Sequence, residues 1–348
     1  MIPISRDLLR GRINSNSRTG SFSLFGKKYF FKILKASDAV KEVNGYYAIR
    51  NYYPVPNLLK KFNFLGYGIL VFSYESSVDL PGGKVVDFFS ERQVNQSKIG
   101  EIFYLYKNVF LKTLVNAQGS SSNVFYHDRV SSRLVNWYPS PLLNSFEHKD
   151  TTINGLKIKF DPSLYVNESQ NYFRKERMLP CVISQCDPQD LNWGSKPVIF
   201  DYQAGGLTPL MAEYASYLWF SIGMGNYLAP LLNPYSYTDA PEIFSALDQV
   251  AVDESNSQLE INHELSKRRQ WAIREYTKIV IDPLTEKYQG WWHDLLPHLT
   301  MRALTVFNLS IPQNRNKLLF SLSYLGLFRQ LESNTPNQFI ERLLSIYK

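Results

Sequence analysis

The sequence predicts an α+β protein in which a small β-rich lobe precedes a larger, mostly helical lobe. In the first lobe, two pairs of short aromatic and β-branched runs flank one helical segment, a pattern typical of a small antiparallel sheet. In the second lobe, apolar residues recur at helical spacing over long stretches. The longest of these predicted helical stretches are residues 209–232, 258–288 and 313–347.

The first lobe is predicted to contain a hairpin, a helix and a second hairpin, in that order. Residues 21–35, SFSLFGKKYFFKILK, hold two strand-like runs separated by a predicted turn at Gly26-Lys27-Lys28. Ser37 and Asp38 are suitable N-caps for the helix that follows. The second pair of strands is predicted at Leu58–Phe64 and Gly68–Tyr74.

A linker is predicted between the two lobes. Residues Ser76–Lys84 contain a Pro-Gly-Gly sequence, which disfavours both helix and strand. We therefore divide the chain into an N-lobe of residues 1–75 and a C-lobe of residues 76–348. In the C-lobe, residues Thr151–Phe160 carry an Asn-Gly pair at their centre, so one hairpin is expected to interrupt the helices.

The composition favours a folded protein that does not bind nucleic acid. The chain has 348 residues, of which 44% are hydrophobic and 15% aromatic, enough for a sizeable core. Its net charge of +7 is dispersed, which favours a solvated surface but also suits an anionic ligand such as a nucleotide. The two cysteines, Cys181 and Cys186, have the spacing of no zinc or redox motif and favour a reducing compartment.

Neither a secretory signal nor a membrane span is predicted. The N-terminal residues MIPISRDLLRGR include charges before any apolar run develops. No stretch reaches the roughly 18–20 uninterrupted apolar residues that span a bilayer. We therefore expect a cytoplasmic protein whose partner is neither nucleic acid nor a membrane, and the sequence leaves its oligomeric state open.

A polar constellation surrounds a short apolar strand in residues 181–203, CVISQCDPQDLNWGSKPVIFDYQ. Asp187 and Asn192 lie five positions apart before the strand, and Asp201 follows it. Carboxylate and amide oxygens suit Mg²⁺ and not zinc, so these residues are candidates for a metal-phosphate site. The alternative is turn capping, which Asp and Asn favour in any protein.

Two charged residues of the N-lobe are candidates for phosphate binding. Lys32 leaves an apolar strand, so its ammonium group can point inward, and Glu42 on the following helix can hold it there. The alternatives are an edge-strand lysine exposed to solvent and a solvated helix glutamate. The two residues occur on a strand and then a helix, which favours the functional interpretation.

The order of these five residues resembles the aminoglycoside phosphotransferase and choline kinase branch of the protein-kinase-like superfamily. The matching segments are YFFKIL, KEVNGYY, QCDPQDLN and IFDYQ. The resemblance implies a protein-kinase-like bilobal fold, with ATP and Mg²⁺ as cofactors and a small-molecule hydroxyl as phosphate acceptor. It covers roughly residues 10–220, and the final helices match only in type.

The resemblance also implies a role for each residue. Lys32 would hold the ATP phosphates and Glu42 would orient it, while Asp187 would be the catalytic base. The catalytic loop would span residues 184–192, and the metal-binding segment residues 198–206. The predicted metal ligands are Asn192 and Asp201. The segment VPNLLKKFNFLGYGILVFSYES resembles the approach to the hinge and places the adenine site at Ser73, Tyr74 and Glu75.

The sequence departs from that family at two places. The family usually has His-Gly before the catalytic aspartate, whereas this chain has Gln185 and Cys186. A glutamine amide donates and accepts hydrogen bonds as the histidine does, so we predict a variant active site. The phosphate-covering loop, residues 14–23, has Gly20 and several hydroxyl groups in place of a glycine-rich motif.

Two functions remain open from the sequence. The first is an ATP-dependent small-molecule kinase, and the second is a catalytically silent kinase-like module that binds nucleotide or a protein partner. Retention of both predicted metal ligands favours the enzyme. Arg129 and Arg133, one helical turn apart, are candidates for an anionic substrate group or for a salt bridge. Glu213 is expected to brace the catalytic loop or to lie on a helix face.

Overall fold

The computed structural model describes residues 10–11, 18–76, 96–118, 126–146, 149–194, 196–224, 227–231, 248–286 and 288–347. Within them the chain is an α+β protein with a small antiparallel sheet at its N-terminus and a larger helical part after it, as the sequence predicts. Most of the predicted linker and the first four residues of the predicted phosphate-covering loop, 14–17, lie outside the described residues. The rest of that loop, including Gly20, belongs to a strand that begins at Arg18. The division at residue 75 remains a prediction.

The N-terminal sheet has five antiparallel strands in the spatial order β1-β2-β3-β5-β4. Phe25 and Gly26 form the turn of the first hairpin, and both have positive φ angles. The prediction that the turn includes Lys27 and Lys28 is wrong, because both pair with the preceding strand. The strand β3 is central, because β2 and β5 pair with it on its two sides. The five strands are β1 (Arg10–Gly11), β2 (Arg18–Leu24), β3 (Lys27–Lys35), β4 (Leu58–Phe64) and β5 (Tyr67–Ser73).

One helix, α1 (Ala36–Ile49), follows β3 without a loop. Its N-cap is Lys35, whose side chain makes no capping hydrogen bond, so the prediction that Ser37 or Asp38 caps the helix is wrong. The strand runs directly into the helix, and the amide of Ala36 donates to the carbonyl of Gly66 at 2.9 Å. That bond satisfies a helix-end donor that a side-chain cap would otherwise serve.

The helical part contains nine α-helices among the described residues. They pack around an apolar core, and α5 and α8, which supply residues of the candidate site, contact each other. Short π-helical turns, including Val130–Val135, extend some of them. The helices are α2 (Gln96–Thr113), α3 (Ser140–Asn144), α4 (Pro162–Phe173), α5 (Leu210–Trp219), α6 (Lys267–Tyr276), α7 (Asp282–Thr285), α8 (Trp291–Thr305), α9 (Arg315–Gln330) and α10 (Pro336–Leu344).

Two small sheets accompany these helices. The strands β6 (Val115–Gln118), β9 (Met178–Ser184) and β10 (Gly206–Pro209) form an antiparallel sheet in the order β10-β9-β6. The candidate site lies on the chain between β9 and β10. The other sheet, in the order β11-β12-β7-β8, consists of β7 (Asp150–Ile153), β8 (Leu156–Ile158), β11 (Asp248–Glu254) and β12 (Gln258–Leu265).

The prediction of a hairpin near Asn154 is confirmed, whereas the helix predicted from residue 258 is wrong at its start. Asn154 and Gly155 form the turn between β7 and β8 with positive φ angles. Residues Gln258–Leu265 form β12, and the helix α6 begins only at Lys267. The sequence QLEINHEL alternates polar and apolar residues, and alternate side chains along β12 are buried.

None of the helices in the described part of the chain is long and apolar enough to cross a membrane.

Candidate functional site

The ammonium group of Lys32 joins the N-terminal sheet to the segment after β9. Its Nζ atom lies 2.6 Å from Oε1 of Glu42 and 3.2 Å from Oδ1 of Asp201. The predicted Lys32–Glu42 ion pair is therefore present. Lys32 belongs to the central strand of the sheet, and its side chain is only 14% exposed. The alternative of an exposed edge-strand lysine is thereby excluded.

Glu42 lies on the face of α1 that packs inward, and its side chain is 2% exposed. Burial raises the pKa of Glu42, while the neighbouring charge of Lys32 acts in the opposite direction. Its Oε1 atom also accepts a hydrogen bond from the backbone amide of Tyr202 at 3.3 Å. Glu42 thus connects the lysine of β3 to the backbone immediately after Asp201.

Asp201 has a φ angle of +65°, in the left-handed region that residues other than glycine seldom adopt. Such backbone conformations persist where the surrounding structure holds them, and they concentrate at functional sites. Here the neighbouring α1 holds the segment, because Gly45 packs directly on the backbone of Tyr202 and Gly205. A Cβ atom on Gly45 would lie 1.7 Å from the carbonyl oxygen of Tyr202.

The loop that follows β9 folds back on Asp187. The side-chain amide of Gln185 donates to the Asp187 carbonyl at 2.5 Å, so Gln185 bonds the loop backbone. The Asn192 amide nitrogen donates to Oδ2 of Asp187 at 2.9 Å and to its carbonyl at 3.2 Å. The Gln189 amide donates to the same Oδ2 atom. These bonds bring the predicted base Asp187 beside the predicted metal ligand Asn192.

Cys186 has a φ angle of +63° and is buried. Its backbone amide donates to the hydroxyl of Ser184 at 3.0 Å. This left-handed conformation is the one that glycine adopts without strain, and glycine is the residue usual at this position in the resembled family. Cysteine therefore occupies a backbone position that glycine would adopt without strain.

Asn192 and Asp201 are brought near each other by a short backbone ladder. The amide of Phe200 donates to the carbonyl of Asn192 at 2.9 Å, and Trp193 forms a β-bridge with Ile199. Because the amide nitrogen of Asn192 is the atom turned toward Asp187, its amide oxygen points away from that carboxylate.

The oxygen donors of Asn192 and Asp201 fit Mg²⁺ better than a softer metal. Among the described residues, no group of three His, Cys, Asp or Glu side chains is arranged to hold a metal by itself. A magnesium ion at this place would take its remaining ligands from phosphate oxygens and water, which is how Mg²⁺ accompanies nucleotides. The residues present fit that manner of binding.

The predicted adenine residues lie where β5 ends. Ser73 is the last residue of the strand, and its backbone amide donates to the carbonyl of Asn57 at 2.8 Å. The Tyr74 hydroxyl accepts a hydrogen bond from Nζ of Lys28 at 2.7 Å. The Glu75 carboxylate accepts one from Ser76 at 3.3 Å. Their role in binding adenine remains a prediction.

Solved structures of aminoglycoside phosphotransferases resemble the chain, and they belong to the branch that its residue pattern resembles. A thermostable mutant of APH(4)-Ia, in a complex with ADP and hygromycin B, aligns at 12% identity over 86% of this chain and 95% of that one, with a TM-score of 0.41. Spectinomycin phosphotransferase APH(9)-Ia, in a complex with ADP and spectinomycin, aligns at 11% identity over 97% and 92%, with a TM-score of 0.42.

A third structure, an aminoglycoside-3'-phosphotransferase of type VIII, aligns at 11% identity over 80% of this chain and 93% of that chain, with a TM-score of 0.39. No family model matches the sequence, and no curated protein matches it either. Likenesses this remote carry no argument about activity or substrate.

Sequence reasoning missed two side chains that hold Asp187. One is Gln189, described above, and the other is Arg302, whose Nη2 atom donates to Oδ1 of Asp187 from 115 positions away. Arg302 lies near the end of α8 and is 7% exposed. A single arginine in a helix whose other residues are mostly apolar is the signal that could have revealed it, because a buried charge needs a partner.

Glu213 lies on α5 with no exposed surface. Burial raises the pKa of Glu213 to about 8, and the nearby Asp187 carboxylate acts in the same direction. The Ser184 hydroxyl at the end of β9 and Arg302 partly offset the rise. Glu213 therefore lies near the loop that holds Asp187 rather than on an exposed helix face, and at neutral pH it is mainly protonated.

Arg133 anchors the C-terminal end of α8. Its Nη1 atom donates to the carbonyl of Thr305 at 2.7 Å, and its guanidinium lies 5.4 Å from the centre of the Trp137 ring. Among the described residues, Arg133 makes this bond to a helix-end carbonyl and no salt bridge.

Proposed function

We propose that the protein is an ATP-dependent kinase that transfers the γ-phosphoryl group to a hydroxyl group of a small molecule. The observation that carries the proposal is the contact of Lys32 with both Glu42 and Asp201. Lys32 and Asp201 are 169 positions apart in the chain. A buried lysine held between two carboxylates is positioned for phosphate oxygens. One of these carboxylates, Asp201, also has the chemistry of a magnesium ligand.

The remaining residues complete the proposed site. Asn192 and Asp201 would hold Mg²⁺, which neutralises charge on the phosphates when it is bound. Asp187 would orient the acceptor hydroxyl and accept its proton, while Gln185 and Asn192 keep the loop in place. Ser73, Tyr74 and Glu75 would border the adenine. Both cysteines of the chain, Cys181 and Cys186, are buried free thiols, which agrees with the cytoplasmic location that we propose.

One observation favours a second candidate, the silent kinase-like module. Both carboxylate oxygens of Asp187 are already engaged, Oδ1 by Arg302 and Oδ2 by Gln189 and Asn192. A carboxylate so engaged still accepts a proton from a hydroxyl if one of these bonds is exchanged during the reaction. Such a module would bind nucleotide without needing this exchange, whereas the kinase requires it.

The deciding experiment combines Mg·ATP titration with transfer of labelled phosphate to a hydroxyl library. For the kinase, wild type binds Mg·ATP and labels at least one acceptor. Asp187→Asn keeps the binding but loses about 10²–10⁴-fold in transfer rate, the contribution typical of a general base. Binding without transfer to any member of a broad library supports the silent module. Transfer at the wild-type rate in Asp187→Asn removes Asp187 from the mechanism.

A further inference from the structure

The two carboxylate oxygens of Asp187 are held in different ways. Oδ2 accepts two hydrogen bonds from its own loop, one from the Gln189 amide and one from the Asn192 amide at 2.9 Å. Oδ1 accepts one bond, from Nη2 of Arg302, and none from any other described residue. Each oxygen of a carboxylate has two lone pairs that accept hydrogen bonds. The loop therefore fills Oδ2, whereas Oδ1 keeps one position open for a further donor.

The open position on Oδ1 is accessible from outside. The Asp187 side chain is 23% exposed even though Arg302 and two loop amides hold it, while the Arg302 side chain is only 8% exposed. Arg302 therefore approaches the carboxylate from the interior, and the exposed part of the carboxylate meets donors from the solvent side. The hydroxyl group of a phosphate acceptor is such a donor.

Arg302 lies on a helix end that is itself fixed. It belongs to the last turn of α8. The Arg133 guanidinium donates to the carbonyl of Thr305 at 2.7 Å, and the buried hydroxyl of Tyr138 donates to the carbonyl of Leu304 at 2.9 Å. A side chain on such a supported element holds its partner more precisely than a side chain on a loop does.

Asp187 is also the carboxylate through which Arg302 can act. Among the described residues Arg302 forms no other ion pair, and its buried Nε atom has no hydrogen-bond partner. Burial lowers the pKa of Arg302, but the neighbouring groups, Asp187 foremost, more than offset this and raise the pKa overall. The guanidinium therefore stays charged beside Asp187, and we expect its effect on the reaction to pass through that carboxylate.

We propose that Arg302 is a positioning residue, which holds Asp187 so that Oδ1, and not Oδ2, receives the proton of the acceptor hydroxyl. The inference rests on the proposed kinase function and adds a residue to it. In that reaction Oδ1 takes the proton as the O–H bond breaks. The hydroxyl oxygen keeps the electron pair and bonds to the γ-phosphorus, and ADP leaves with the pair of the broken P–O bond.

The same geometry identifies the bond that is exchanged during the reaction. A protonated Oδ1 no longer carries the charge that attracts a guanidinium, so the bond from Arg302 weakens as the proton arrives. The amide bonds from Gln189 and Asn192 are to Oδ2 and remain in place. When the proton passes on to water, the charge on Asp187 returns, and the bond from Arg302 forms again.

The test measures transfer of labelled phosphate to the acceptor found in the hydroxyl library, with phosphate release to water as a second assay. Arg302→Met keeps an unbranched side chain without charge and should lower kcat about 10–100-fold, because Asp187 loses a charged hydrogen bond and rotates away from the hydroxyl. The KM for the acceptor and the affinity for Mg·ATP should stay within about twofold of wild type. Arg302→Lys keeps a charged donor and should lose less of the rate.

Two comparisons separate positioning from a merely structural role. In the Asp187→Asn background, Arg302→Met should cause no further loss of rate, because the carboxylate through which it acts is already absent. The matched control is Arg329→Met, which removes a 13% exposed arginine side chain that pairs with a carboxylate elsewhere, that of Glu168. It should leave the kcat of the folded protein at the wild-type value, with folding verified by circular dichroism.

The outcomes distinguish this inference from the proposed function. If wild type transfers phosphate and Arg302→Met keeps its rate, the inference is wrong and the kinase proposal stands. Equal losses from Arg302→Met in the wild-type and Asp187→Asn backgrounds also overturn it, since Arg302 then acts on the fold and not on Asp187. If Arg302→Met does not fold, Arg302→Lys decides by the same two comparisons. If wild type binds Mg·ATP but transfers phosphate to no acceptor, the kinase proposal fails and the inference falls with it.

Discussion

Gly45 and Tyr202 are in direct backbone contact, so that a Cβ atom on Gly45 would lie 1.7 Å from the Tyr202 carbonyl oxygen. This contact fixes the position of α1 relative to the segment that contains Asp201. Glu42 lies on α1. The hydrogen bond from the Tyr202 amide to Glu42 lies beside it. The position of the proposed magnesium ligand relative to Lys32 therefore depends on a residue without a side chain.

We expect Gly45→Ala to destabilise the protein and to weaken Mg·ATP binding. Alanine gains about 1 kcal/mol of helix propensity, but the Cβ atom must push α1 or the Tyr202 backbone away, and backbone shifts of this kind cost more, about 1–3 kcal/mol. Thermal unfolding and titration with Mg·ATP measure the two effects. Gly100→Ala is the matched control, since a Cβ atom there meets nothing within 4 Å, and it should be neutral or stabilising. Equal behaviour of the two variants contradicts the prediction.

Lys32→Ala should weaken Mg·ATP binding by about 10–100-fold, the loss of one charged hydrogen bond to the phosphates. Glu42 then loses its cationic partner, and its raised pKa allows it to take up a proton rather than stay charged. Circular dichroism verifies that the variant is folded, and calorimetry measures the affinity. Lys27→Ala, on the exposed start of the same strand, is the control. An affinity equal to that of the control would remove Lys32 from the site.

Asp201→Asn should raise the Mg²⁺ concentration needed for half-maximal nucleotide binding about 10–100-fold, and phosphate transfer should be lost. The amide has one oxygen and no charge, so it is a weaker ligand for a hard divalent cation. A Mg²⁺ titration at fixed ATP measures the shift. The exposed Asp253→Asn on β11 serves as control. An unchanged Mg²⁺ requirement would mean that Asp201 pairs with Lys32 for structural reasons alone.

Glu213→Gln should make the protein more stable than wild type at pH 8, with little difference at pH 5. A pKa near 8 in the folded state, against about 4.5 when unfolded, means that the folded protein holds a proton that the unfolded chain releases. The stabilisation from this proton is complete below pH 4.5 and is lost as the pH rises through 8. The slope reaches about 1.4 kcal/mol per pH unit.

Denaturant unfolding of both proteins from pH 5 to 8 measures this difference in the free energy of unfolding. The difference between the two proteins removes the pH dependence that other groups contribute equally to both. One such group is His263, whose buried ring has a pKa lowered to about 3. Glu101→Gln, on the exposed face of α2, is the control. Parallel curves for wild type and Glu213→Gln would show that the carboxyl group does not titrate in this window.

The parts of the site that the sequence predicts are those formed by neighbours along the chain. Lys32 and Glu42 lie ten positions apart on a strand and the helix that follows it, so their meeting depends on one short connection. The bonds among Gln185, Asp187 and Asn192 are likewise internal to one loop. Local pattern also predicts most strands and helices. It fails at Gln258–Leu265, a strand with apolar residues at every second position that lies in a stretch predicted to be helical.

Only the tertiary structure decided which distant residues surround Asp187 and Asp201. Arg302 reaches Asp187 because α8 packs beside the loop that contains Asp187, and Lys32 reaches Asp201 because α1 packs on the segment after Asp201. No local pattern encodes such contacts, since they depend on how whole helices pack against one another. The raised pKa of Glu213 has the same origin, because burial is a property of the assembled core and not of the residues next to it in the chain.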